Sequence, residues 1–230
     1  MEISLSLVTT HDIPDLVRVH TAAFETDQFS NFMLYGREEN AHQNVMQKSI
    51  EIWLSDPTSK LVKAVAGDGT IVGWACWLTK DKDDQDRSKA LLKSRSLDTP
   101  NNGESSPMNQ PARPRRPAQI LSCLMRGDSM RWEENSMKGR KYLVLQALAT
   151  SPSFQCRGIG SQLIQWGIDI ADAEKLPCWV HASPAGHNLY KKAGFQEIGS
   201  SEYDLESISS EGRWGRYTFR YMQRSALDNR

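Results

Sequence analysis

The sequence predicts a mixed α/β fold in which one sheet carries helices on both faces. Stretches with the two-residue period of strands alternate with stretches of helical spacing along most of the 230 residues. The apolar run 142–149 is broken only by Gln146, which suits a central strand that is covered on both faces. Twice along the chain, a pair of apolar runs brackets a polar turn, as the arms of an antiparallel hairpin do.

In the N-terminal half the spacing predicts a strand, two helices and a hairpin. These elements occupy residues 3–7, 10–24, 41–54, and the hairpin arms 61–66 and 71–78. Thr10 can cap the first helix with its hydroxyl, and His20 is expected at the rim of that helix's apolar face. Residues 25–37 mix aromatic and polar side chains without a clean period, so a loop or a broken helix is expected there.

In the C-terminal half the spacing predicts a central strand, a helix, a short strand, a second helix and a closing antiparallel pair. These elements occupy residues 142–149, 161–172, 177–182, 188–193, 195–205 and 214–222. Pro152 ends the central strand, and Gly194 can adopt the left-handed conformation that ends a helix. Residues 120–137 show loosely helical spacing, which Gly127 and Asp128 interrupt, so the nature of this stretch is left open.

Residues 79–117 differ abruptly from the rest of the chain. They are rich in Asp, Ser, Asn and Gln, and they contain five prolines. A segment of this composition buries too little apolar surface to offset the entropy lost on ordering. We therefore expect a single domain spanning residues 1–230, with a mobile low-complexity insertion at about 79–117.

The composition argues against nucleic acid, membrane and metal partners. Lys plus Arg and Asp plus Glu number 28 each, so the formal net charge is zero and no global field attracts a polyanion. The first residues contain no basic region followed by an apolar run, the pattern of a signal peptide. No stretch of consecutive apolar residues is long enough to span a membrane. The four cysteines are scattered without nearby histidines, which fits free thiols in a reducing compartment rather than a metal site. A cytoplasmic location is expected; Arg113-Pro-Arg-Arg116 leaves a nuclear one open, although a solvated charge run explains it more simply.

The stretch from Leu143 to Gly160 reads as a buried strand, a tight glycine-bearing loop and the start of a helix. The first N–H groups of a helix have no intrahelical partner and its dipole is positive there, so a phosphate is favoured where no side chain blocks its approach. Gly158 and Gly160 remove that obstacle. The loop is neither a P-loop, because no lysine follows Gly160, nor a dinucleotide fingerprint, because it has two glycines and lies late in the chain.

The loop sequence Gln155-Cys-Arg-Gly-Ile-Gly160 resembles the pyrophosphate loop of the GNAT superfamily of N-acetyltransferases. The resemblance continues in Leu148-Ala-Thr-Ser-Pro152 before the loop and in Ala182-Ser-Pro-Ala-Gly-His-Asn-Leu-Tyr-Lys-Lys-Ala-Gly-Phe195 after it, in the order and spacing of that superfamily's core motifs. It covers the chain apart from the insertion and looks closest to fungal GNAT proteins of undefined substrate. The implied fold is a central, mixed, mostly antiparallel twisted sheet flanked by helices on both faces.

The resemblance also implies a coenzyme A site. The pyrophosphate would be held by the residues of the loop and helix start, which are Gln155, Cys156, Arg157, Gly158, Ile159, Gly160 and Ser161. Leu148 and Ala149 would contact the pantetheine arm and, given a bulge there, offer a backbone N–H to the acetyl oxygen. Ser183 stands where many relatives carry an asparagine that touches the cofactor, so this one contact departs from the pattern.

The implied reaction moves an acetyl group from acetyl-CoA directly to a primary amine, with no metal. Tyr190 matches the tyrosine of the family's Leu-Tyr-x-Lys-x-Gly-Phe motif, which implies the general acid. His181 is the best titratable candidate for the base, since imidazole titrates near neutral pH; a histidine that is merely hydrogen-bonded at the end of a strand explains it equally well. Glu25 and Asp27 are weaker candidates.

Two functional readings remain at this point. The resemblance favours an enzyme acting on a small-molecule amine rather than on a protein lysine, as a monomer or a homodimer. The alternative is a catalytically silent GNAT-like module that binds acyl-CoA or serves as a scaffold. The sequence does not name the amine, the length of the acyl chain or the oligomeric state.

Overall fold

The computed structural model describes residues 2–81, 117–209 and 212–226, and its core is a seven-stranded sheet in the order β1-β2-β3-β4-β5-β7-β6. The strands, in chain order, are β1 (Ile3–Leu7), β2 (Ser59–Ala66), β3 (Ile71–Lys80), β4 (Tyr142–Thr150), β5 (Cys178–Ala182), β6 (Gln196–Asp204) and β7 (Arg216–Arg224). All neighbouring strands pair antiparallel except β4 and β5, which are parallel. The predicted mixed, mostly antiparallel sheet is confirmed.

Seven α-helices accompany these strands in the described part of the chain. They are α1 (Ile13–Ala23), α2 (Gln28–Leu34), α3 (Ala41–Ser55), α4 (Pro117–Met137), α5 (Ile159–Ala173), α6 (Pro184–Lys192) and α7 (Leu205–Ser209), and a 3₁₀ turn at Thr10–Asp12 precedes α1. Helix α2 confirms the expectation of a broken helix within 25–37.

The helices lie on both faces of the sheet, as expected, because successive strand residues point to opposite sides. On β5, Cys178, Val180 and Ala182 join the cluster formed with α5 and α6, whereas Trp179 packs on the other face. That other face is covered by α1 and α3 over β2, β3 and β4. Helices α2, α4 and α7 cover the end formed by β6 and β7.

Two indoles anchor the layers of this core. Trp74 is fully buried beneath α1 and donates its indole N–H to the carbonyl of Leu16 at 2.9 Å. Trp77 is buried on the opposite face beneath α5, where a Cβ on Gly167 would come within 2.0 Å of its ring. Both residues pack in the core, and Gly167 is required because nothing larger fits above the Trp77 indole.

The centre of the sheet opens between β4 and β5. Their pairing is restricted to Leu143–Leu145 against Cys178–Val180. Beyond these residues β4 continues along β3 to Thr150, while β5 follows β7 to Ala182, so the two strands lose contact with each other. Cys76 pairs with Ala147 and Trp77 with Leu145, which leaves Gln146 as the extra residue of a β-bulge at the mouth of this opening.

Two local expectations were wrong in detail, and the stretch 120–137, which the sequence left open, is helical. The helix start is capped by Thr9 and not Thr10, because the Thr9 hydroxyl and N–H both bond the carboxylate of Asp12, at 2.9 and 2.7 Å. Helix α4 runs from Pro117 to Met137 through Gly127, so the glycine does not end it. Helix α6 begins at Pro184 rather than Asn188, since Pro184 suits a first helical position after the cap Ser183.

The expected insertion falls mostly outside the described residues, which stop at 81 and resume at 117. Within them, β3 extends to Lys80 and α4 begins at Pro117, so both ends of the 79–117 segment belong to regular elements. No helix of the described chain combines the length and apolar character that a membrane span needs. Among the same residues there is no group of three or more His, Cys, Asp or Glu side chains that could hold a metal ion.

Candidate active site

The loop between β4 and α5 presents its backbone to solvent at the start of a helix. Gly158 caps α5 in the left-handed conformation with φ of 80°, and Cys156 also has a positive φ of 59°. No side chain caps the first turn of α5 in the described structure, and the first helical hydrogen bond runs from Gln162 N–H to the carbonyl of Gly158 at 3.0 Å. The N–H groups before it are therefore available to an anion.

The side chains of this loop shape the cradle without filling it. Gln155 donates from Nε2 to the carbonyl of Thr150 at 3.1 Å, which ties the loop back to the end of β4. The Arg157 guanidinium lies 5.4 Å from the centre of the Phe154 ring and stays exposed. Ile159 is buried at 1% exposure in the core, so only its N–H can contribute to binding. Cys156 and Ser161 are exposed.

The space above the loop is open at Gly158 and narrower at Gly160. A Cβ added at Gly158 would meet no atom within 4 Å, so the helix start opens onto free volume. At Gly160, by contrast, a Cβ would come 3.0 Å from Leu189 of α6. Gly158 thus keeps the anion site clear, whereas Gly160 lets α5 approach α6.

A cleft begins next to this loop, at the point where β4 and β5 stop pairing with each other. Gln146 on β4 and His181 on β5 are the first residues beyond the last paired positions, Leu145 and Val180. Gln146 is exposed. Leu148 packs partly against the α5 side of the core, and Ala149 is buried on the opposite face. The bulge therefore lies two residues earlier than the expected position at Leu148 and Ala149.

Tyr190 lies on α6 with its ring turned back toward the first turn of that helix. A Cβ on Gly186 would approach the ring to 2.7 Å and the hydroxyl to 3.2 Å, so the phenol rests against the glycine one turn earlier. The residue is 8% exposed and contacts Phe195, with a distance of 6.0 Å between ring centres. Burial raises the pKa of Tyr190 well above its usual value, so the hydroxyl keeps its proton at neutral pH.

His181 lies on β5, on the face opposite α5. Its ring stacks on Tyr221 at 5.0 Å and contacts Phe219 at 4.2 Å, measured between ring centres. Its Nε2 is buried without a hydrogen-bond partner among the described residues. Burial lowers the pKa of His181 to about 4, partly opposed by the carboxylate of Asp128. The imidazole is thus neutral at pH 7, and the expectation that it titrates near neutral pH was wrong because desolvation disfavours the charged ring.

Ser183 has a structural task in addition to its expected place near the cofactor. Its hydroxyl oxygen accepts a hydrogen bond from the N–H of Gly186 at 3.3 Å and so caps α6. The buried Tyr217 of β7 donates from its hydroxyl to Asp27 Oδ1 at 2.8 Å.

The fold brings the loop 155–161, the cleft beside Gln146 and the first turn of α6 with Tyr190 to one end of the central strands. Reasoning from the sequence missed two residues there. Gln146 could have been identified as a bulge, since it is the single polar residue in the run 142–149. Tyr217 gave no comparable signal, because its partner Asp27 is 190 positions away.

Comparison with known proteins agrees with this geometry. Residues 126–197 match the family described as acetyltransferase (GNAT) domain. A probable acyltransferase, SID5, from Ajellomyces capsulatus is 38% identical over 42 residues, which are 18% of this chain and 31% of that protein. The match therefore spans about a third of the length of this curated relative.

Solved structures of similar fold cover nearly the whole chain. Arylalkylamine N-acetyltransferase 2 from Aedes aegypti has a TM-score of 0.64 at 15% identity, covering 99% of this chain and 100% of that one. The polyamine N-acetyltransferase of Drosophila melanogaster, which forms N-acetylagmatine, has a TM-score of 0.62 at 14% identity. The match covers 97% of this chain and 100% of that one. Over residues 126–197 the chain is therefore similar to the acetyltransferase (GNAT) domain, and over nearly its whole length it shares the fold of these two N-acetyltransferase structures.

Proposed function

We propose that the protein is an acetyl-CoA-dependent N-acetyltransferase that moves an acetyl group directly to a primary amine within a ternary complex. The observation that carries the proposal is the open, uncapped start of α5 at Gly158, next to the point where β4 and β5 part. The match of residues 126–197 to the acetyltransferase domain supports it.

The chain's own groups would hold the donor in two places. The N–H groups of Gly158, Ile159, Gly160 and Ser161 would bind the pyrophosphate, and the exposed Arg157 would add a positive charge at the rim. The backbone of β4 between Gln146 and Ala149 would line the pantetheine arm, because β5 leaves that edge of the strand unpaired. Acetyl-CoA supplies the activated thioester. Main-chain N–H groups at the bulge would stabilise the charge that develops on the acetyl oxygen.

Tyr190 would donate a proton in the reaction, and His181 would accept a hydrogen bond. Tyr190 keeps its proton at neutral pH and would donate it to the departing sulfur. His181 is neutral, and its Nε2 is free to accept a hydrogen bond from the incoming amine, directly or through water. Its low pKa makes it a weak base, so its main contribution would be to orient the amine rather than to remove the whole charge of an ammonium ion.

The acceptor is proposed to be a small-molecule amine rather than a protein lysine. Related folds include enzymes named for arylalkylamines and for polyamines. The acceptor side of this chain carries aromatic side chains near His181, including Phe29 at 5.1 Å from Phe219.

A panel of amines tests the proposal directly. Release of free coenzyme A from acetyl-CoA would be followed with arylalkylamines, agmatine, spermidine and a lysine peptide. We expect turnover with at least one small amine above the rate of acetyl-CoA hydrolysis. Tight coenzyme A binding with no transfer to any amine would instead favour the silent binding module.

A further inference from the structure

One carboxylate joins the first turn of α6 to the edge of the sheet. Glu197 lies near the start of the edge strand β6, and its Oε2 is 3.0 Å from Nε2 of His187 and 3.4 Å from Nε of Arg220 on β7. The His187 nitrogen must carry the proton of this contact, because an ionised carboxylate only accepts hydrogen bonds. The three side chains are between 22% and 38% exposed, so water screens the contact only in part.

His187 is the neighbour of the glycine that supports the candidate acid. The ring of Tyr190 rests against Gly186, where a Cβ would come within 2.7 Å of the ring and 3.2 Å of the hydroxyl. The N–H groups of Gly186 and His187 both bond to the carbonyl of Ser183, at 3.1 Å each, so the two residues belong to one turn. The contact with Glu197 therefore fixes the turn on which the Tyr190 hydroxyl rests.

The other side of α6 touches the candidate cofactor loop. A Cβ added at Gly160 would come within 3.0 Å of Leu189, so α6 packs directly on the first turn of α5. Leu189 and His187 are two positions apart, which places their side chains on roughly opposite sides of a helix. Because an isolated helix of nine residues is at best marginally stable, such tertiary contacts decide where α6 and its Tyr190 lie.

Resting on the proposed acetyl transfer, we propose that His187 is a positioning residue, which through its contact with Glu197 holds the first turn of α6 so that Tyr190 reaches the departing sulfur. Arg220 holds the same carboxylate from the side of β7. His187 touches neither substrate in this scheme, and the proton on its Nε2 stays on the ring.

Acetyl transfer at saturating substrate measures the positioning. His187→Phe keeps an aromatic ring and deletes the nitrogen that meets Glu197, so we expect kcat to fall about tenfold, a part of the roughly 10² to 10⁴ that a positioned acid contributes. The Kd of coenzyme A and the KM for the amine should be unchanged. His187→Gln should recover most of kcat, because its amide nitrogen can reach the same carboxylate. Wild-type kcat in His187→Phe, or an equal loss in His187→Gln, would overturn the proposal.

Combined variants show whether the effect acts through Tyr190. In the Tyr190→Phe background no phenolic proton is left to position, so His187→Phe should cause no further loss of kcat. Glu197→Ala should reproduce the loss seen in His187→Phe, and the two together should lose no more than either alone, because they delete one contact. Additive losses in either combination would indicate a general effect on the fold and would refute the positioning role.

Glu202→Ala is the matched control on the same strand. Glu202 lies five residues further along β6 and also forms an ion pair with β7, to Arg216 at 3.1 Å. Its loss should leave kcat at the wild-type value. If Glu202→Ala lowers kcat as much as Glu197→Ala does, the effect belongs to the β6–β7 hairpin in general and the proposal is wrong.

A measurement without ligands separates this proposal from the proposed function. In protein with isotope-labelled tyrosine, the NMR ring signal of Tyr190 is the one that disappears in Tyr190→Phe. Glu197→Ala should shift this signal and introduces no ring of its own, whereas Glu202→Ala should leave it in place. An unchanged signal in Glu197→Ala would overturn the positioning. If no amine reacts with the wild type, the proposed function fails, and the Tyr190 signal still decides whether the contact positions the phenol.

Discussion

At the scale of single residues, the decisive feature of Tyr190 is that burial keeps its proton while the ring is held against Gly186. The hydroxyl has no hydrogen-bond partner within the described residues, so Tyr190→Phe removes a proton without breaking an internal bond. We expect kcat to fall by about 10² to 10⁴, the usual contribution of a positioned general acid. The Kd of coenzyme A and the Tm should stay close to wild type. Wild-type turnover by the Phe variant would leave water as the acid.

The pair His20 and His42 makes stability depend on pH. Their rings share a hydrogen bond, with His20 Nδ1 3.1 Å from His42 Nε2, and His20 stacks on Phe24 at 4.4 Å. Burial lowers the pKa of His20 to about 3, with a further contribution from His42, and burial also lowers the pKa of His42. His20 is half-buried and belongs to the contact between α1 and α3, which is compatible with the predicted place at the rim of the apolar face.

Because these pKa values lie below the unfolded value of 6.5, the unfolded chain binds more protons as the pH falls. The contribution of His20 is fully present above pH 6.5 and declines toward pH 3, by up to about 1.4 kcal/mol per pH unit. His42 acts in the same direction. Urea unfolding at pH 7 and pH 5 measures the decline. His20→Gln should reduce it, although His181 contributes in the same direction. The exposed His11→Gln serves as the control, and an equal decline in both variants would contradict the assignment.

Candidate residues for the proposed chemistry could be predicted only where a local motif names them. The loop 155–161 and Tyr190 belong to such motifs and lie at the predicted end of the sheet. The pKa of His181 could not be predicted, because it depends on rings from β7 that desolvate the imidazole. The hydrogen bond from Tyr217 to Asp27 joins two distant segments, and no periodicity in the sequence reports such a contact.

At the scale of elements, the start of α5 combines an anion site with a strained backbone position. Gly158 has φ of 80°, and Gly69 in the turn between β2 and β3 has φ of 86°; a Cβ at either would meet nothing within 4 Å. Glutamate at either position should cost about 1–2 kcal/mol of stability through the left-handed backbone. Only Gly158→Glu should also weaken coenzyme A binding, by roughly 100-fold or about 3 kcal/mol, since it blocks the N–H groups and repels phosphate.

Isothermal titration calorimetry with coenzyme A separates these two effects. The Gly69→Glu variant controls for loss of stability, because it lies on a hairpin remote from α5 in the chain. Equal affinity of the wild type and Gly158→Glu would mean that the cradle lies elsewhere. Equal weakening in both variants would mean that loss of stability, rather than the cradle, explains the result.

Element boundaries were predictable where propensity and packing agree. The strand at 142–149 and the helix that follows it have strong periods, and the structure confirms both as β4 and α5. Helix α4 was less predictable, because only a few of its 21 residues are buried and they give no strong apolar period. These buried residues are Ala118, Leu121 and Met137. Tertiary contacts stabilise it instead: Lys80 pairs with Glu133 at 2.7 Å, and Tyr142 donates to the same carboxylate at 2.8 Å.

At the scale of the whole molecule, the sequence predicts one sheet, both helical layers and the place of the loop, because each follows from apolar periods. The parting of β4 and β5 is a property of the assembled sheet. It arises because β4 follows β3 while β5 follows β7, and neither strand alone contains that information. The cleft of the candidate site therefore becomes visible only once the strand order is known.

A flexible linker of sufficient length should be able to replace the connection between β3 and α4. Residues 82–116 have a polar, proline-rich composition, and the elements on either side pack on the core without them, so we propose that they are dispensable for folding of a single domain. Lys80 at the end of β3 pairs with Glu133 of α4, which is 16 positions after Pro117. The distance from Pro117 to Glu133 along the helix is roughly 24 Å at about 1.5 Å per residue. A replacement must therefore span roughly that distance. About 12 Gly/Ser residues can reach it, whereas about four cannot, even when fully extended.

Replacing residues 82–116 with the longer linker should leave the Tm within about 3 °C of wild type and the coenzyme A affinity unchanged. The shorter linker should lower the Tm, because it must pull β3 away from α4 or unwind the first turns of that helix. Differential scanning fluorimetry and calorimetry measure both quantities. A large loss of Tm or of soluble protein with the longer linker, equal to that with the shorter one, would show that residues 82–116 contribute packing of their own and that the single domain includes them.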